Sequence, residues 1–336
     1  MASGFEALAY HGGDLAVARR LVPDAPQPWI DLSTGINPHP YPLPALPPEA
    51  WRRLPDRESV ARLETVAAAR YRARSPAEVI AAAGSQALVQ ILARLLPARR
   101  VGVLGATYAG HERAWRAAGA IVGRIEPLEA LAGFDVAVVV NPNNPDGRIV
   151  ERGALLELCQ AMTTRGGVLI VDEAFMDFDG AEHSLVPGLP ARAIVLRSFG
   201  KTYGLAGLRL GFAIASPDIA ETLRAALGPW PVSGAAIAIG CGALADESWL
   251  EAARAGLGAD AARLDALLVE NGWTIAGGTR LFRLAQRGDA RGVFERLLQH
   301  GILTRPFADA PQRLRFGIPD SEAQWGRLAR ALAAAT

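Results

Sequence analysis

The chain has 336 residues, of which 50% are hydrophobic and 21% are charged, so it is long enough to bury the cores of one large and one smaller domain. This composition excludes intrinsic disorder and a collagen-like repeat. Because lysine and arginine together number 35 against 34 aspartates and glutamates, the formal net charge of +1 gives no overall field for binding nucleic acid or an anionic membrane.

Cysteine usage and the N-terminal sequence favour a cytoplasmic protein. Cys159 and Cys241 stand far apart, outside any CxxC or Cys/His cluster, which predicts neither a disulfide framework nor a metal site. The stretch Met1–Asp14 carries Glu6 and lacks the basic and long apolar regions of an export signal. The run without charge or proline from Val232 to Ala245 is too short to span a bilayer.

Residues 1–45 are predicted to form an N-terminal arm that joins the smaller domain. Six prolines fall within eleven positions at the end of this segment and just beyond it, and such a stretch forms neither a regular helix nor a central strand. They are Pro38, Pro40, Pro42, Pro44, Pro47 and Pro48.

Residues 46–230 are predicted to form a large α/β domain around a mostly parallel sheet. Segments with helical spacing alternate with short runs that are apolar on both faces, which is typical of strands covered by helices on two sides. The helical segments are Glu58–Tyr71, Ser85–Leu96 and Glu151–Thr163; the apolar runs are Val101–Leu104, Asp135–Val140, Val168–Val171, Ala193–Leu196 and Leu210–Ala215. In such sheets the ligand lies beyond the carboxyl ends of the strands.

Residues 231–336 are predicted to form a smaller α+β domain, because their strands and helices are fewer and shorter. The predicted helices are Ser248–Glu270, Arg291–His300 and a closing helix; the predicted strands are Trp273–Ala276, Leu281–Ala285, Ile302–Arg305 and Leu314–Ile318.

The chain contains a single lysine. Of its 35 basic residues 34 are arginine, and only Lys201 carries a primary amine. A guanidinium stays protonated and does not form an imine, whereas a lysine amine can. Composition alone is equally consistent with an ordinary exposed lysine, so the neighbouring residues must distinguish the two interpretations.

The segment around this lysine combines groups suited to a phosphorylated aldehyde. It reads Ser198-Phe-Gly-Lys201-Thr-Tyr-Gly-Leu-Ala-Gly-Leu-Arg209-Leu-Gly and follows the predicted strand Ala193–Leu196. A hydroxyl and a guanidinium suit a phosphate, and the amine can form a Schiff base. An SxxK pair also occurs in penicillin-binding serine enzymes, but their SDN and KTG partners are absent here.

Three further segments follow predicted strands or open a predicted helix. Gly84-Ser85-Gln86 precedes an apolar-periodic helix, where backbone amides and the helix dipole favour an anion. Asn144 belongs to an NPNNPDG turn after the strand Asp135–Val140, and Asp172 follows Val168–Val171. Taken singly, these segments are also explained as a helix start, a turn and a strand-end cap. Their joint occurrence in this order favours a binding site.

Together these segments resemble the class I/II aminotransferase superfamily of fold type I pyridoxal phosphate enzymes, over most of residues 30–320. The resemblance implies that Lys201 binds the coenzyme as a Schiff base and that Asp172 keeps the pyridine nitrogen protonated. It further implies that Asn144 hydrogen-bonds the ring hydroxyl oxygen and that Tyr108 stacks on the ring. The implied phosphate ligands are Gly84, Ser85, Gln86, Ser198 and Arg209. Many relatives have tyrosine at the position of Phe175, so one hydrogen bond to the ring hydroxyl is missing.

The resemblance also implies that Arg315 binds the α-carboxylate of the substrate, and that Arg305 helps hold a substrate phosphate. Arg313 lies two positions before Arg315, so a strand would turn both side chains to one face. A solvated residue at the sheet edge would explain Arg313 equally well.

The N-terminal residues are similar to the threonine-phosphate decarboxylases of cobalamin biosynthesis. The similarity lies in His11-Gly12-Gly-Asp and in the DLSTGINPHPYP segment that contains Asn37. By this resemblance His11, Gly12 and Asn37 lie near the substrate phosphate or carboxylate. The implied reaction removes carbon dioxide from L-threonine O-3-phosphate, a small phosphorylated amino acid, and gives (R)-1-amino-2-propanol O-2-phosphate.

Two alternatives remain open. A histidinol-phosphate aminotransferase would use the same coenzyme site to remove the α-proton, and a coenzyme-binding regulator would not turn over substrate at all. Regulators of this fold carry an appended DNA-binding domain, for which the early start of the sheet is expected to leave no room. Sites of this superfamily form at dimer interfaces, so the resemblance implies a homodimer.

Overall fold

The computed structural model describes Leu8 and residues 12–334, and the chain divides into two compact units. One unit comprises Met1–His39 and Glu251–Thr336, and the other comprises Pro40–Leu250. No helix in the described part of the chain is long and apolar enough to cross a membrane.

The helices are α1 (Leu15–Leu21), α2 (Glu49–Arg52), α3 (Arg57–Tyr71), α4 (Ser85–Leu95), α5 (Gly110–Ala117), α6 (Arg152–Thr163), α7 (Phe199–Thr202), α8 (Pro217–Leu227), α9 (Gly234–Ala245), α10 (Glu247–Glu270), α11 (Ala290–Gln299) and α12 (Glu322–Ala334). The strands are β1 (Ile30–Asp31), β2 (Val79–Ala82), β3 (Arg100–Leu104), β4 (Ile121–Ile125), β5 (Val136–Val140), β6 (Val168–Asp172), β7 (Ala193–Ser198), β8 (Gly211–Ile214), β9 (Thr274–Thr279), β10 (Phe282–Gln286), β11 (Ile302–Leu303), β12 (Arg305–Pro306) and β13 (Arg313–Gly317).

The unit Pro40–Leu250 is built on a seven-stranded sheet in the order β2-β8-β7-β6-β5-β3-β4. The pairs from β7 to β4 are parallel, whereas β8 pairs antiparallel with both β2 and β7. Side chains alternate between two cores, since Val136 and Val138 belong to one hydrophobic cluster while Ala137 and Val139 belong to another. This mostly parallel sheet, buried on both faces, confirms the predicted fold class.

Two strands of this sheet are absent from the sequence prediction. Strand β4 is partly exposed and contains Gly123 and Arg124, so it lacks an apolar run. Strand β2 is a short edge strand, and two side chains cover it: Glu64 accepts a hydrogen bond from the Ala81 N–H, and Arg224 donates to the Val79 carbonyl. This cover protects an edge that could otherwise pair with another chain.

The unit that holds both termini contains an antiparallel sheet in the order β12-β13-β10-β9 and a parallel pair of β1 with β11. The pairing joins the N-terminal arm to the C-terminal half, because Ile30 lies opposite Ile302. Arg327 on α12 reinforces the junction by donating to the carbonyls of Pro26, Pro28 and His300.

The division between the units falls at positions that differ from the predicted boundaries. The sequence places them after residues 45 and 230, whereas the structure divides the chain after His39 and Leu250. Helix α9 therefore belongs with the seven-stranded sheet. It packs closely on α3, because a side chain at Gly240 would collide with Leu210 and Leu63.

Candidate active site

Three adjacent parallel strands end at one edge of the large sheet and carry polar residues there. Strand β5 leads into the turn that contains Asn144, β6 ends at Asp172, and β7 ends at Ser198. Val140 is in register with Asp172, and Asp172 with Leu196, so these ends lie side by side. Lys201 follows at once in α7.

Asp172 is a buried carboxylate with a defined partner. His111 Nε2 lies 2.9 Å from Asp172 Oδ2, and the Ala174 N–H donates to Oδ1 at 3.1 Å. Burial acts to raise the pKa of Asp172, but His111, the charge of Lys201 and the Ala174 N–H outweigh it and hold that pKa below its usual range. The site therefore keeps a negative charge next to Lys201.

The amine of Lys201 lies between Ser198 and Phe175. Its Nζ donates to Ser198 Oγ at 3.4 Å and stands 5.2 Å from the centre of the Phe175 ring. Lys201 is partly buried.

The start of α4 and Arg209 form a cradle suited to an anion. Gly84 precedes α4 with φ +88°, and a Cβ there would lie 2.7 Å from Arg209 Nη2. A Cβ at Gly211 would collide with the backbone nitrogen of Ser85, and Gly211 pairs with Ser198 across β7 and β8. Backbone amides, a hydroxyl and a guanidinium thus come together around glycines that leave room for them.

Tyr108 connects this cradle to His111. Its hydroxyl donates to Gln86 Oε1 at 2.8 Å, and its ring stands edge-on to the His111 ring with centres 6.0 Å apart. Gly110 allows the close approach, because any side chain there would overlap the Tyr108 ring.

The turn that carries Asn144 is held by its neighbour Asn143. Asn143 accepts from Thr107 Oγ1 at 2.6 Å and donates to the Ala106 carbonyl and to Asp146 Oδ1. The loop before Tyr108 and the turn after β5 are therefore fixed to each other.

The nine residues predicted from the sequence to hold the coenzyme all lie in the unit Pro40–Leu250, at or near this sheet edge. They are Gly84, Ser85, Gln86, Tyr108, Asn144, Asp172, Ser198, Lys201 and Arg209. Sequence reasoning missed His111, which lies in the first turn of α5 and 61 positions before Asp172 in the chain.

The other unit brings two arginines together. Arg305 and Arg315 lie directly opposite each other on the antiparallel strands β12 and β13. Arg315 is buried, donates to the Ser33 carbonyl at 2.8 Å and lies over the Phe282 ring. Burial, followed by repulsion from Arg305, lowers the pKa of Arg315 to about 9 against the attraction of Asp31. Opposed like charges are unfavourable across a strand pair, so this place favours an anion.

The N-terminal arm contributes further predicted residues to the same unit. A side chain at Gly12 would collide with the Ser33 carbonyl, which also accepts from Arg315. Asn37 is buried and accepts from the His39 N–H. His11 lies outside the described residues.

Arg313 differs from Arg315. It is exposed, and its guanidinium donates to Gln286 on the neighbouring strand.

Comparison with known proteins identifies the family. The family model for aminotransferase class I and II matches residues 28–332. The chain is 45% identical to a threonine-phosphate decarboxylase of Pseudomonas aeruginosa, covering 96% of both chains, and 42% identical to one of a Sinorhizobium species, covering 96% of this chain and 97% of the relative.

Among solved structures, the histidinol-phosphate aminotransferase of Sinorhizobium meliloti, in complex with pyridoxal-5'-phosphate, shares the fold with a TM-score of 0.81 at 21% identity. The alignment covers 96% of this chain and 94% of that one. The resemblance predicted from the motifs is confirmed, and the chain belongs to the aminotransferase class I and II family.

Proposed function

We propose that the protein is a pyridoxal phosphate-dependent decarboxylase that converts L-threonine O-3-phosphate to (R)-1-amino-2-propanol O-2-phosphate in cobalamin biosynthesis. The observation that carries this proposal is the position of the only lysine beside a buried, ionised aspartate, in a chain whose full-length relatives are named threonine-phosphate decarboxylases. Both cysteines are thiols, which is compatible with a cytoplasmic location.

The residues present fit the coenzyme. The N-terminus of α4, with Ser85, Gln86, Ser198 and Arg209, would hold the phosphate, since a Cβ at Gly84 would occupy the space beside the Arg209 guanidinium. Tyr108 would cover the ring, Asp172 would pair with the pyridine nitrogen and Asn144 would meet the ring hydroxyl oxygen. When bound, the coenzyme supplies an aldehyde that condenses with an amine and a pyridinium ring that accepts electrons from the substrate's α-carbon.

Lys201 and Asp172 have separate tasks in this proposal. Lys201 would supply the amine that holds the coenzyme, and its protonated form would give a proton back to the α-carbon of the substrate. Asp172 keeps its negative charge because His111 and Lys201 counteract the effect of burial on its pKa. A permanent carboxylate favours a protonated ring nitrogen, which is the form that withdraws electrons.

The paired arginines fit a substrate that carries two anionic groups. L-threonine O-3-phosphate carries a carboxylate and a phosphate on a short backbone, and two opposed guanidinium groups are suited to two such anions. The opposition of Arg305 and Arg315 therefore supports a substrate with two such groups. 2-Oxoglutarate, the second substrate of the aminotransferase, also carries two anionic groups, so the preference for the decarboxylase rests on the relatives and not on the arginine pair.

The deciding experiment supplies L-threonine O-3-phosphate to the coenzyme-loaded enzyme and measures released carbon dioxide. The paired control supplies histidinol phosphate with 2-oxoglutarate and measures glutamate. We expect turnover of the first substrate and none of the second pair. Turnover of the second pair alone would identify an aminotransferase, and a loaded protein inert in both assays would point to a regulator.

Replacing Arg305 with alanine is expected to raise the KM for threonine phosphate about 10- to 100-fold, since a hydrogen-bonded charge pair contributes about 1.5–3 kcal/mol. Arg313→Ala is the matched control. Arg313 is the first residue of β13 and is exposed, whereas the other residues of that strand are buried. We expect its KM to stay within about twofold of the wild type, as for an exposed group. Equal KM values in both variants would remove Arg305 from the substrate site.

We also propose that the enzyme is a homodimer. The unit Pro40–Leu250 exposes five large apolar side chains to between 55% and 72% of their area: Leu43, Trp51, Leu54, Ile121 and Trp230. Helix α2, which contains Trp51, packs against α9, so Trp51 and Trp230 lie on neighbouring segments. Large apolar side chains that stay exposed in this way fit an interface with a second copy. Sedimentation is expected to give twice the chain mass of 35.5 kDa, and an active monomer would contradict the proposal.

A further inference from the structure

Helix α7, which carries Lys201, is too short to be stable without tertiary contacts. It spans four residues, and the Ser198 side chain makes no capping hydrogen bond to it. The Tyr203 N–H closes the turn on the Phe199 carbonyl at 3.0 Å. Isolated helices of this length are unstable, so tertiary contacts must fix the direction of the Lys201 side chain.

Asp177 supplies such a contact to the residue next to Lys201. Its Oδ2 accepts a hydrogen bond from Thr202 Oγ1 at 2.8 Å, and both side chains are buried. Its Oδ1 accepts from Arg197 Nη1 at 3.2 Å and lies 3.6 Å from Arg70 Nη2. Two guanidinium groups therefore hold the carboxylate that in turn holds Thr202.

Arg197 extends these contacts to the end of β6. Its Nη2 lies 2.9 Å from Glu173 Oε2 and 3.0 Å from Ser184 Oγ. Glu173 also accepts from Ser184 Oγ and from the Leu185 N–H, so it is fixed independently of Arg197. Glu173 is the direct neighbour of Asp172 in the chain.

One buried path therefore connects the two residues that carry the chemistry. It runs from Asp172 through Glu173, Arg197 and Asp177 to Thr202, and so to Lys201. The groups that surround Asp177 are Arg70, Arg197, Glu173, Tyr71 and Tyr203. A buried and mutually bonded network of this kind rigidifies the elements that it joins.

We propose that Asp177 is a positioning residue for the Lys201 amine and acts through the Thr202 hydroxyl. The inference rests on the proposed function and adds to it what holds the amine near Asp172. The Asp177–Thr202 bond does not touch coenzyme or substrate in this proposal. It fixes the direction from which Lys201 reaches them.

Thr202→Val is the test, because Asp177→Ala would leave two buried arginines without a partner carboxylate and could prevent folding. Valine preserves the shape of threonine and replaces its hydroxyl with a methyl group. Thr202→Ser is the matched rescue variant, since it restores the hydroxyl. The readouts are kcat and KM for threonine phosphate, the pH midpoint of the visible band of the bound coenzyme, and the thermal midpoint.

We expect Thr202→Val to bind the coenzyme and to lower kcat about three- to tenfold, the effect of one hydrogen bond, with KM within about twofold. The pH midpoint of the visible band should fall by about 0.3–1 unit, because an amine farther from Asp172 loses part of the attraction that favours its protonated form. The thermal midpoint should fall by no more than about 4 °C. Thr202→Ser should match the wild type in kcat and in the pH midpoint.

A wild-type kcat and pH midpoint in Thr202→Val would overturn the positioning role alone. The role would also be overturned if Thr202→Ser failed to restore them, or if kcat fell only together with the thermal midpoint while the pH midpoint stayed unchanged. A wild-type protein that binds no coenzyme would instead overturn the proposed function, and with it this inference.

Discussion

Lys201→Ala is expected to lower kcat for decarboxylation at least about 10²–10⁴-fold, the range associated with a lost acid–base group, and to remove the visible band of the bound coenzyme. The physical reason is that the chain contains no second lysine to take over the role. The protein should still fold, because Lys201 is only partly buried and its hydrogen bond to Ser198 is long, at 3.4 Å. Steady-state kinetics, absorbance and far-UV circular dichroism measure the three effects.

The control for charge is Lys201→Arg. Arginine keeps a positive group near Asp172 and the Phe175 ring, but a guanidinium does not condense with an aldehyde. We expect the same loss of activity and of the visible band as in Lys201→Ala. Retention of either property would mean that Lys201 acts through its charge and not as a nucleophilic amine.

Asp172→Asn should separate the anchoring of the coenzyme from its activation. The visible band should persist, because Lys201 is intact, while kcat should fall about 10²–10³-fold through loss of an electrostatic stabiliser. The single oxygen of asparagine can accept from His111 or from the Ala174 N–H but not from both, so one hydrogen bond is lost together with the charge. Absorbance and single-turnover decarboxylation measure the two effects.

Loss of the band together with activity would show that Asp172 is needed for binding, and near-normal kcat would remove it from the proposed chemistry.

The assay is informative across a wide range of pH. Because the pKa of Asp172 is lowered in the folded protein, its contribution to stability is present above the ordinary aspartate pKa and is lost only as the pH falls through the lowered value. The wild-type carboxylate thus stays ionised at neutral pH.

The central strands could be predicted because they are apolar on both faces. The predicted runs Asp135–Val140, Val168–Val171 and Ala193–Leu196 differ from β5, β6 and β7 by at most two residues at either end. The same pattern places Asp172 and Ser198 at strand ends, where a parallel sheet brings them to one edge. These continuous apolar runs therefore located much of the candidate site.

The interactions between distant residues could not be predicted in this way. His111 and Asp172 are 61 positions apart, and Asp177 and Thr202 are 25 apart, so no local pattern reports either hydrogen bond. The position of α9 likewise depends on packing against α3, which composition does not reveal.

The pairing of Arg305 with Arg315 could not be predicted from the sequence for a related reason. The register of Arg305 with Arg315 depends on the turn between β12 and β13. Strand parity alone grouped Arg315 with Arg313, although only Arg315 is buried.

Borohydride reduction of the coenzyme-loaded protein, followed by peptide mass mapping, tests the central claim most directly. Since the chain offers one side-chain primary amine, the reduced coenzyme should be found on the peptide that contains Lys201 and on no other internal peptide. A protein that carries the coenzyme but shows no label at Lys201 after reduction would contradict the account.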